Sequence, residues 1–389
     1  MGIFIPHSKL PNLRAYKYQS EDRSLITKYI LKPFWHKFVN VFPMWMAPNV
    51  VTLCGFGFIL VNIVTVLYYD PTLTKEAPRW VYFSYALGLF MYQTFDACDG
   101  THARRTGQSG PLGELFDHCI DSLNTTISML VFCSAVGTGM TKLTVLSQFA
   151  LLCNFYLSTW EEYHTHKLFL SEFSGPVEGI LMIVSAFTLT GVYGPKTLWH
   201  TKVFEFYLSR RFIVVETIDI VNAFCAVGLV FNIISARRNV VQHYRSTSNS
   251  TESANKKVQT ATAGLIPFFL YFATVFIVIA YDPRIISWPF ILTIGLTMAF
   301  SVGRVIVSHL TMQSFPIINP PMFIPLFQLL FQLASKMVGI DSATVLSPLN
   351  WLGLGLSLGL HAMFVTEVIY EFTTFLDIYA LSIKHPKEA

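Results

Sequence analysis

The chain has 389 residues, of which 53% are hydrophobic and only 13% charged, with a mean hydropathy of +0.50, more apolar content than a single soluble core uses. The net charge of +4 is scattered among the flanks of apolar segments and forms no basic stripe interleaved with aromatics, so nucleic acid is excluded as a partner and the lipid bilayer is implied. Six cysteines, Cys54, Cys98, Cys119, Cys133, Cys153 and Cys225, lie in or beside apolar segments with no C-x-x-C pair, and read as reduced packing residues.

The first 45 residues carry Lys9, Arg14, Lys17, Arg23, Lys28, Lys32 and Lys37 and no early apolar run, so no cleavable signal peptide is expected and the first span serves as its own insertion signal. Pro6 stands where a myristoylation motif requires Ser or Thr, which removes that reading of Met1-Gly2. Phe34 to Trp45 mixes aromatics with Lys37 and predicts an amphipathic helix lying in the membrane interface.

Val50 to Tyr69 then runs for 20 residues without a charge, the length that roughly 30 Å of hydrocarbon requires. Ten segments of this kind are predicted, at 46-69, 80-102, 113-136, 143-160, 177-193, 213-235, 261-281, 286-310, 321-335 and 350-376. The expected fold is therefore all-α and polytopic, with about ten transmembrane helices. Pro316, Pro320, Pro321 and Pro325 crowd the start of the ninth segment, which leaves a full crossing and a re-entrant piece both open. Ser246 to Lys257, rich in Ser, Thr and Asn, predicts a linker without regular structure.

These features divide the chain into a cytosolic N-terminal segment at 1-45, catalytic helices at 46-235, a cytosolic linker at 236-260, C-terminal transmembrane helices at 261-376 and a cytosolic tail at 377-389. With the N-terminus in the cytosol, 17 Lys and Arg fall in cytosolic parts and 9 in opposite-side loops, which is the distribution the positive-inside rule favours. The basic stretch Lys196 to Arg211 runs against it. Arg304 lies within a span. Asn124 and Asn249 match the glycosylation pattern but fall in a membrane helix and a cytosolic loop, so neither is expected to carry sugar.

One region differs from the rest. Asp96 and Asp99 are three apart, with Gly100 and Ala103 on the same helical face; Asp117 and Asp121 are four apart, with Asn124 and Ser128 continuing their stripe. Carboxylates at membrane depth are costly and mark function. Arg104 and Arg105 offset only part of four negative charges, whereas two divalent cations would neutralise them. Oxygen-only ligands suit hard ions such as Mg2+ or Mn2+, and two ions roughly 3.5-4 Å apart are a common device for displacement at phosphorus. Gly100 and Gly113 are expected to let the two backbones and a diphosphate approach closely. Taken as residues alone, the aspartates remain open to a salt-bridged packing role or a proton path.

The run reads D-x2-D-G-x2-A-R-x8-G-x3-D-x3-D from Asp96 to Asp121, and it resembles the signature of the CDP-alcohol phosphotransferases. Tyr16-Lys17-Tyr18, Lys32-Pro33-Phe34-Trp35, Ala47-Pro48-Asn49 and Pro111 to His118 look like the eukaryotic, and within them the fungal, choline/ethanolamine phosphotransferases, so that the resemblance covers most of the chain. It implies a ten-helix enzyme of the endoplasmic reticulum and Golgi membranes. Such an enzyme joins diacylglycerol to the phosphocholine of CDP-choline or the phosphoethanolamine of CDP-ethanolamine and releases CMP. It further implies that Asp96, Asp99, Asp117 and Asp121 hold two Mg2+ or Mn2+ ions and that Asn49, Gly100, Ala103, Arg104 and Gly113 lie at the nucleotide.

Two candidates stand for the general base. His118 is of a residue type whose ordinary range lies near neutrality, and it lies beside Asp121 on the helix; Asp121 is the competitor, although a metal-bound carboxylate is the poorer base. For the amino-alcohol head group the candidates are Glu178 at a helix start, and Trp160 and Tyr163 in the run Trp160 to Lys167. That run is equally readable as a cation-binding cage or as a solvated loop with interfacial aromatics. His164 and His166 are two apart and share no helical face, which removes a zinc site. Two alternatives remain, a CDP-diacylglycerol-dependent synthase and a cation transporter with an acidic site, the second disfavoured because no internal repeat is visible. The sequence leaves homodimerisation and the choice between choline and ethanolamine open.

Overall fold

The computed structural model describes residues 2-16, 20-22, 24-170, 176-208 and 211-386. Lys17, Tyr18 and Arg23, together with parts of the basic stretch Lys196 to Arg211 and of the tail at 377-389, lie outside the described residues. Thirteen α-helices are present among the described residues: α1 Lys32–Phe38, α2 Pro48–Tyr69, α3 Arg79–Thr106, α4 Pro111–Val136, α5 Lys142–Thr165, α6 Pro176–Tyr193, α7 Pro195–Trp199, α8 Thr217–Thr247, α9 Thr251–Ala263, α10 Ile266–Tyr281, α11 Trp288–Leu310, α12 Ile324–Met337 and α13 Ser342–Leu376. Two small sheets accompany them, β1 Ser20–Asp22 parallel to β2 Leu168–Leu170, and β3 Lys202–Leu208 antiparallel to β4 Arg211–Glu216. The fold is all-α and polytopic, and each of the ten predicted segments has its helix.

Helix boundaries follow local chemistry. Pro48 and Pro111 sit in the first turn of α2 and α4, where a missing N–H costs nothing. Gly107 and Gly137 end α3 and α4 with φ of 73° and 79°, values that favour glycine. His166 ends α5 in the same left-handed region at φ 55°, a conformation an L side chain seldom adopts.

Six helical stretches are long and apolar enough to cross a membrane by length and composition: Pro48–Tyr69, Pro111–Val136, Thr217–Thr247, Thr251–Tyr281, Trp288–Leu310 and Ala343–Leu376. α3 and α5 are not among them, and each ends in a polar run. α12 has 14 residues, about 21 Å of helix, which is short of a full hydrocarbon crossing and accords with a partial span.

The helices pack around α11, which contacts α4, α5 and α13, while α2 lies on α3 and α4, α3 on α6, and α5 on α8. The apolar window of α11 is 83% buried and that of α8 only 6% buried, so α8 offers most of its side chains, Phe224 and Phe231 included, to the surroundings. Small residues permit close crossings without a hydrophobic drive. A Cβ on Gly55 of α2 would come within 2.8 Å of Phe95 Cβ, so any side chain there displaces α3, the helix that carries Asp96 and Asp99.

Three expectations need correction. The interfacial helix predicted at Phe34 to Trp45 begins earlier: a wide turn at Thr27–Leu31 runs into α1, and Val39–Val41 closes it with a tighter turn. The sixth span does not start at 213. Arg211–Glu216 is a strand, consistent with its run of apolar and β-branched residues, and α8 starts where Glu216 and Asp219 form a reciprocal cap. Ser246 to Lys257 is not unstructured: α8 continues to Thr247, and α9 starts with the Ser250 side chain accepting from the Ser253 N–H.

Both ends of the chain are docked by side chain to backbone hydrogen bonds. Glu367 on α13 accepts from the N–H groups of Phe4 and Ile5 at 2.7 and 3.2 Å, docking the N-terminal segment. At 377-386 the chain folds back, with Asn49 Nδ2 donating to the Ala380 carbonyl at 2.9 Å and Gln108 Nε2 to that of His385 at 2.9 Å. Hydrogen bonds from Lys384 and His385 fix Asp377 at the turn and hold its carboxyl below the usual range.

Candidate active site

α3 and α4 are joined by Gly107 to Gly110, and this short connection sets their polar ends side by side at one boundary of the helical bundle. Asp96, Asp117 and Asp121 each offer an oxygen such that all three lie within 4.8 Å of one another. Asp99 is buried and accepts a hydrogen bond from Thr52 Oγ1 of α2. Tyr92 donates to Asp121 Oδ1, and Gln93 Nε2 lies 3.4 Å from Asp96 Oδ2. These donors occupy one oxygen of each of three carboxylates. Asp96 Oδ1 and Asp117 Oδ1 are buried without a hydrogen-bond partner.

Like charges at this separation repel strongly, and the described residues place no lysine or arginine in an ion pair with the four carboxylates. Two orphaned oxygens in a converging oxygen-only donor set are what a hard divalent cation accepts. The residues present therefore fit a metal.

A cavity of about 2380 Å³ opens at this cluster. Its lining includes Asp96, Asp99, Asp117, His118 and Asp121 together with Asn49, Gly100, Ala103, Arg104 and Gly113. A Cβ at Gly100 would meet only Arg104 Nη1, at 3.8 Å, and one at Gly113 only Asn49 Oδ1, at 4.0 Å. These glycines do not bring two backbones together as expected from their spacing; they leave open space facing the cavity, room that a phosphate group can use. Arg104 keeps an exposed guanidinium near this space, steadied by Nη2 donating to Thr101 Oγ1 at 2.9 Å. The cavity continues between α5, α6 and α8 along Leu146, Ile180, Ile183, Leu229 and Val230, so its far wall is apolar.

The head-group candidates lie elsewhere. The Trp160 indole is buried and donates to the Ala261 carbonyl at 2.9 Å, and the Tyr163 hydroxyl donates to the Gln313 carbonyl at 2.7 Å. Neither lines the cavity. Glu178 is buried and accepts from the Ser24 hydroxyl, pointing away from the cavity that its neighbours Val177 and Gly179 border. The run Trp160 to Thr165 is the last turn of α5 and mostly buried, which removes its reading as a solvated loop.

Glu114, Glu161 and Glu162 also line the cavity; the two on α5 belong to the run whose carboxylates were open to a cation-caging role, whereas Glu114 had been given none. Glu114 stands three residues before Asp117, and that spacing on one helix face was the available signal.

Comparison with known proteins places residues 45–207 in the family described as CDP-alcohol phosphatidyltransferase. Over 392 residues the chain is 56% identical to cholinephosphotransferase 1 and 56% identical to choline/ethanolaminephosphotransferase 1 of Saccharomyces cerevisiae, covering 100% of each chain in both cases. It is 35% identical over 410 residues to choline/ethanolaminephosphotransferase 1 of Arabidopsis thaliana, again covering 100% of both.

Proposed function

The chain belongs to the CDP-alcohol phosphatidyltransferase family, and from that premise we propose that it transfers phosphocholine, phosphoethanolamine or both from CDP-choline or CDP-ethanolamine to 1,2-diacylglycerol, giving phosphatidylcholine or phosphatidylethanolamine and CMP. The observation that carries this reading is a cavity whose polar end holds four aspartates, His118 and Arg104 and whose far wall is largely apolar. A nucleotide and a lipid can meet there. Radiolabelled CDP-choline and CDP-ethanolamine supplied to microsomes from a host lacking such enzymes will give labelled phospholipid when this protein is expressed. Incorporation only from a CDP-diacylglycerol donor and a soluble alcohol would overturn the assignment.

In this mechanism Asp96, Asp99, Asp117 and Asp121 hold two divalent ions, Mg2+ or Mn2+. When bound, these ions neutralise the diphosphate and the departing CMP. Arg104 faces the nucleotide, with Asn49, Gly100, Ala103 and Gly113 shaping its bed. Diacylglycerol reaches the cavity laterally from the bilayer between helices of the apolar wall. His118 takes the hydroxyl proton, and the alkoxide attacks phosphorus in line with the leaving group. Both substrates are bound at once, and no covalent enzyme intermediate forms. Residues 46-235 carry this chemistry and the helices at 261-376 support it.

Activity is expected to depend on the ions because, among the described residues, no lysine or arginine forms an ion pair with the four carboxylates. Chelation with excess EDTA after dialysis is expected to abolish turnover, and Mg2+ or Mn2+ to restore it. Ca2+, larger and less demanding of geometry, is expected to inhibit. Undiminished turnover in EDTA sinks the two-ion reading.

The proposed orientation puts both termini, the aspartates and Ser246 to Lys257 in the cytosol of endoplasmic reticulum or Golgi membranes, where soluble CDP-alcohols are available. A tag inserted after Asn249 is expected to be reached by antibody in sealed microsomes. An N-linked glycan on Asn249 would reverse the orientation.

A further inference from the structure

We propose that Glu114 and Glu162 form the receptor for the positively charged nitrogen of the amino alcohol, an inference that rests on the reading above that the donor is a CDP-amino alcohol. Glu114 lies on α4 three residues before Asp117, Glu162 in the last turn of α5, and His309 near the end of α11. The three offer ligand atoms within 4.8 Å of one another. Both carboxylates line the cavity that holds the four aspartates. Three residues of helix advance about 4.5 Å, a step comparable with the two-carbon bridge between phosphate and nitrogen in the substrate.

The independent observation is that these acids lack a counter-charge. Glu162 is 6% exposed, and its carboxylate makes no hydrogen bond or ion pair among the described residues. Glu114 Oε2 is buried without a partner. Glu161, the adjacent residue, provides the contrast: its carboxylate is taken by Asn239 Nδ2 at 2.7 Å. Two unpaired carboxylates in a low-dielectric wall are costly until a cation arrives. His309 does not line the cavity, and its Nε2 lies 3.0 Å from His166 Nδ1. Two monodentate acids then face the cavity, too few for a hard-ion cage and sufficient for an ammonium. A primary ammonium can donate hydrogen bonds to both; a quaternary one is held by charge alone.

The test compares full-length parent, Glu162→Gln, Glu162→Asp and Glu114→Gln, purified in lipid nanodiscs. Binding of CDP-choline, CDP-ethanolamine, CDP-glycerol and CMP is measured, with initial rates alongside. The parent is expected to prefer the two cationic donors over neutral CDP-glycerol. Each Gln variant is expected to lose that preference, with KM for both cationic donors rising roughly 10- to 100-fold while CMP affinity stays at the parental value. Glu162→Asp is expected to retain part of the preference. Retention of CMP binding shows that the site is folded; if Glu162→Gln loses it, Glu114→Gln carries the same comparison. An unchanged ratio of CDP-choline to CDP-glycerol affinity in the Gln variants overturns the proposal. So does an altered requirement for Mg2+ at an unchanged ratio, which would make the two acids metal ligands. A parent that discriminates in binding yet transfers neither amino alcohol contradicts the assigned reaction and leaves the receptor standing.

Discussion

Alanine at Asp96, Asp99, Asp117 or Asp121 is expected to lower turnover of CDP-choline by roughly 10³-fold or more, with little rescue by added metal. Asp96, Asp117 and Asp121 converge, with Asp99 in the same cavity, and Asp96 Oδ1 and Asp117 Oδ1 have no hydrogen-bond partner. A loss of activity alone could come from misfolding, so the sign of the stability change is the sharper readout. Removing one of four repelling charges relieves strain in the metal-free protein, and its melting temperature in EDTA is expected to equal or exceed that of the parent. The parent is expected to gain stability on adding Mg2+, since a ligand that binds only the native state raises its free energy of unfolding by mass action. The variants are expected to lose that gain. A parent whose melting temperature ignores Mg2+, or an alanine variant with parental turnover, contradicts the assignment of these residues to the metal.

The aspartates were legible because charge is rare in an apolar sequence and their spacing matches one helical turn. The ten apolar segments were legible for the same reason in reverse. What stayed hidden depends on contacts that no local period records. Glu367 binding the backbone of Phe4 spans 363 residues of chain, and Asn49 reaching Ala380 spans 331. Such side chain to backbone bonds leave no pattern in composition, so the docking of residues 377-386 had no signal in the sequence. The start of the sixth span at 213 failed because Phe212 to Val215 is apolar and β-branched, and a short apolar run does not distinguish strand from helix.

The head-group candidates failed for a different reason. Trp160 and Tyr163 are the residue types that bind quaternary ammonium, but both have found partners for their polar atoms in neighbouring elements. Residue type gave the chemistry and not the direction in which the side chain points. Glu162, in the same turn as both, is the one whose carboxylate remains unpaired toward the cavity.

The general base is separated from the metal ligands by the size and pH dependence of its loss. His118 lines the cavity beside Asp117 and three residues before Asp121, so it can take a proton from a hydroxyl held near the phosphorus. Asp121 is a weaker candidate, because one of its oxygens already accepts from Tyr92 and the proposed mechanism uses its charge to hold a cation. His118→Ala is expected to leave CDP-choline and Mg2+ binding at parental values and to slow turnover by roughly 10²- to 10⁴-fold. Its residual rate is expected to rise with pH, because alkoxide formation then depends on hydroxide in place of a positioned base. The parent profile should flatten above the pH at which its base is deprotonated. A pH-rate profile of both proteins, with binding measured on the purified variant, makes the comparison. Near-parental turnover in His118→Ala transfers the proton to Asp121, whereas loss of nucleotide binding makes His118 a substrate-binding residue.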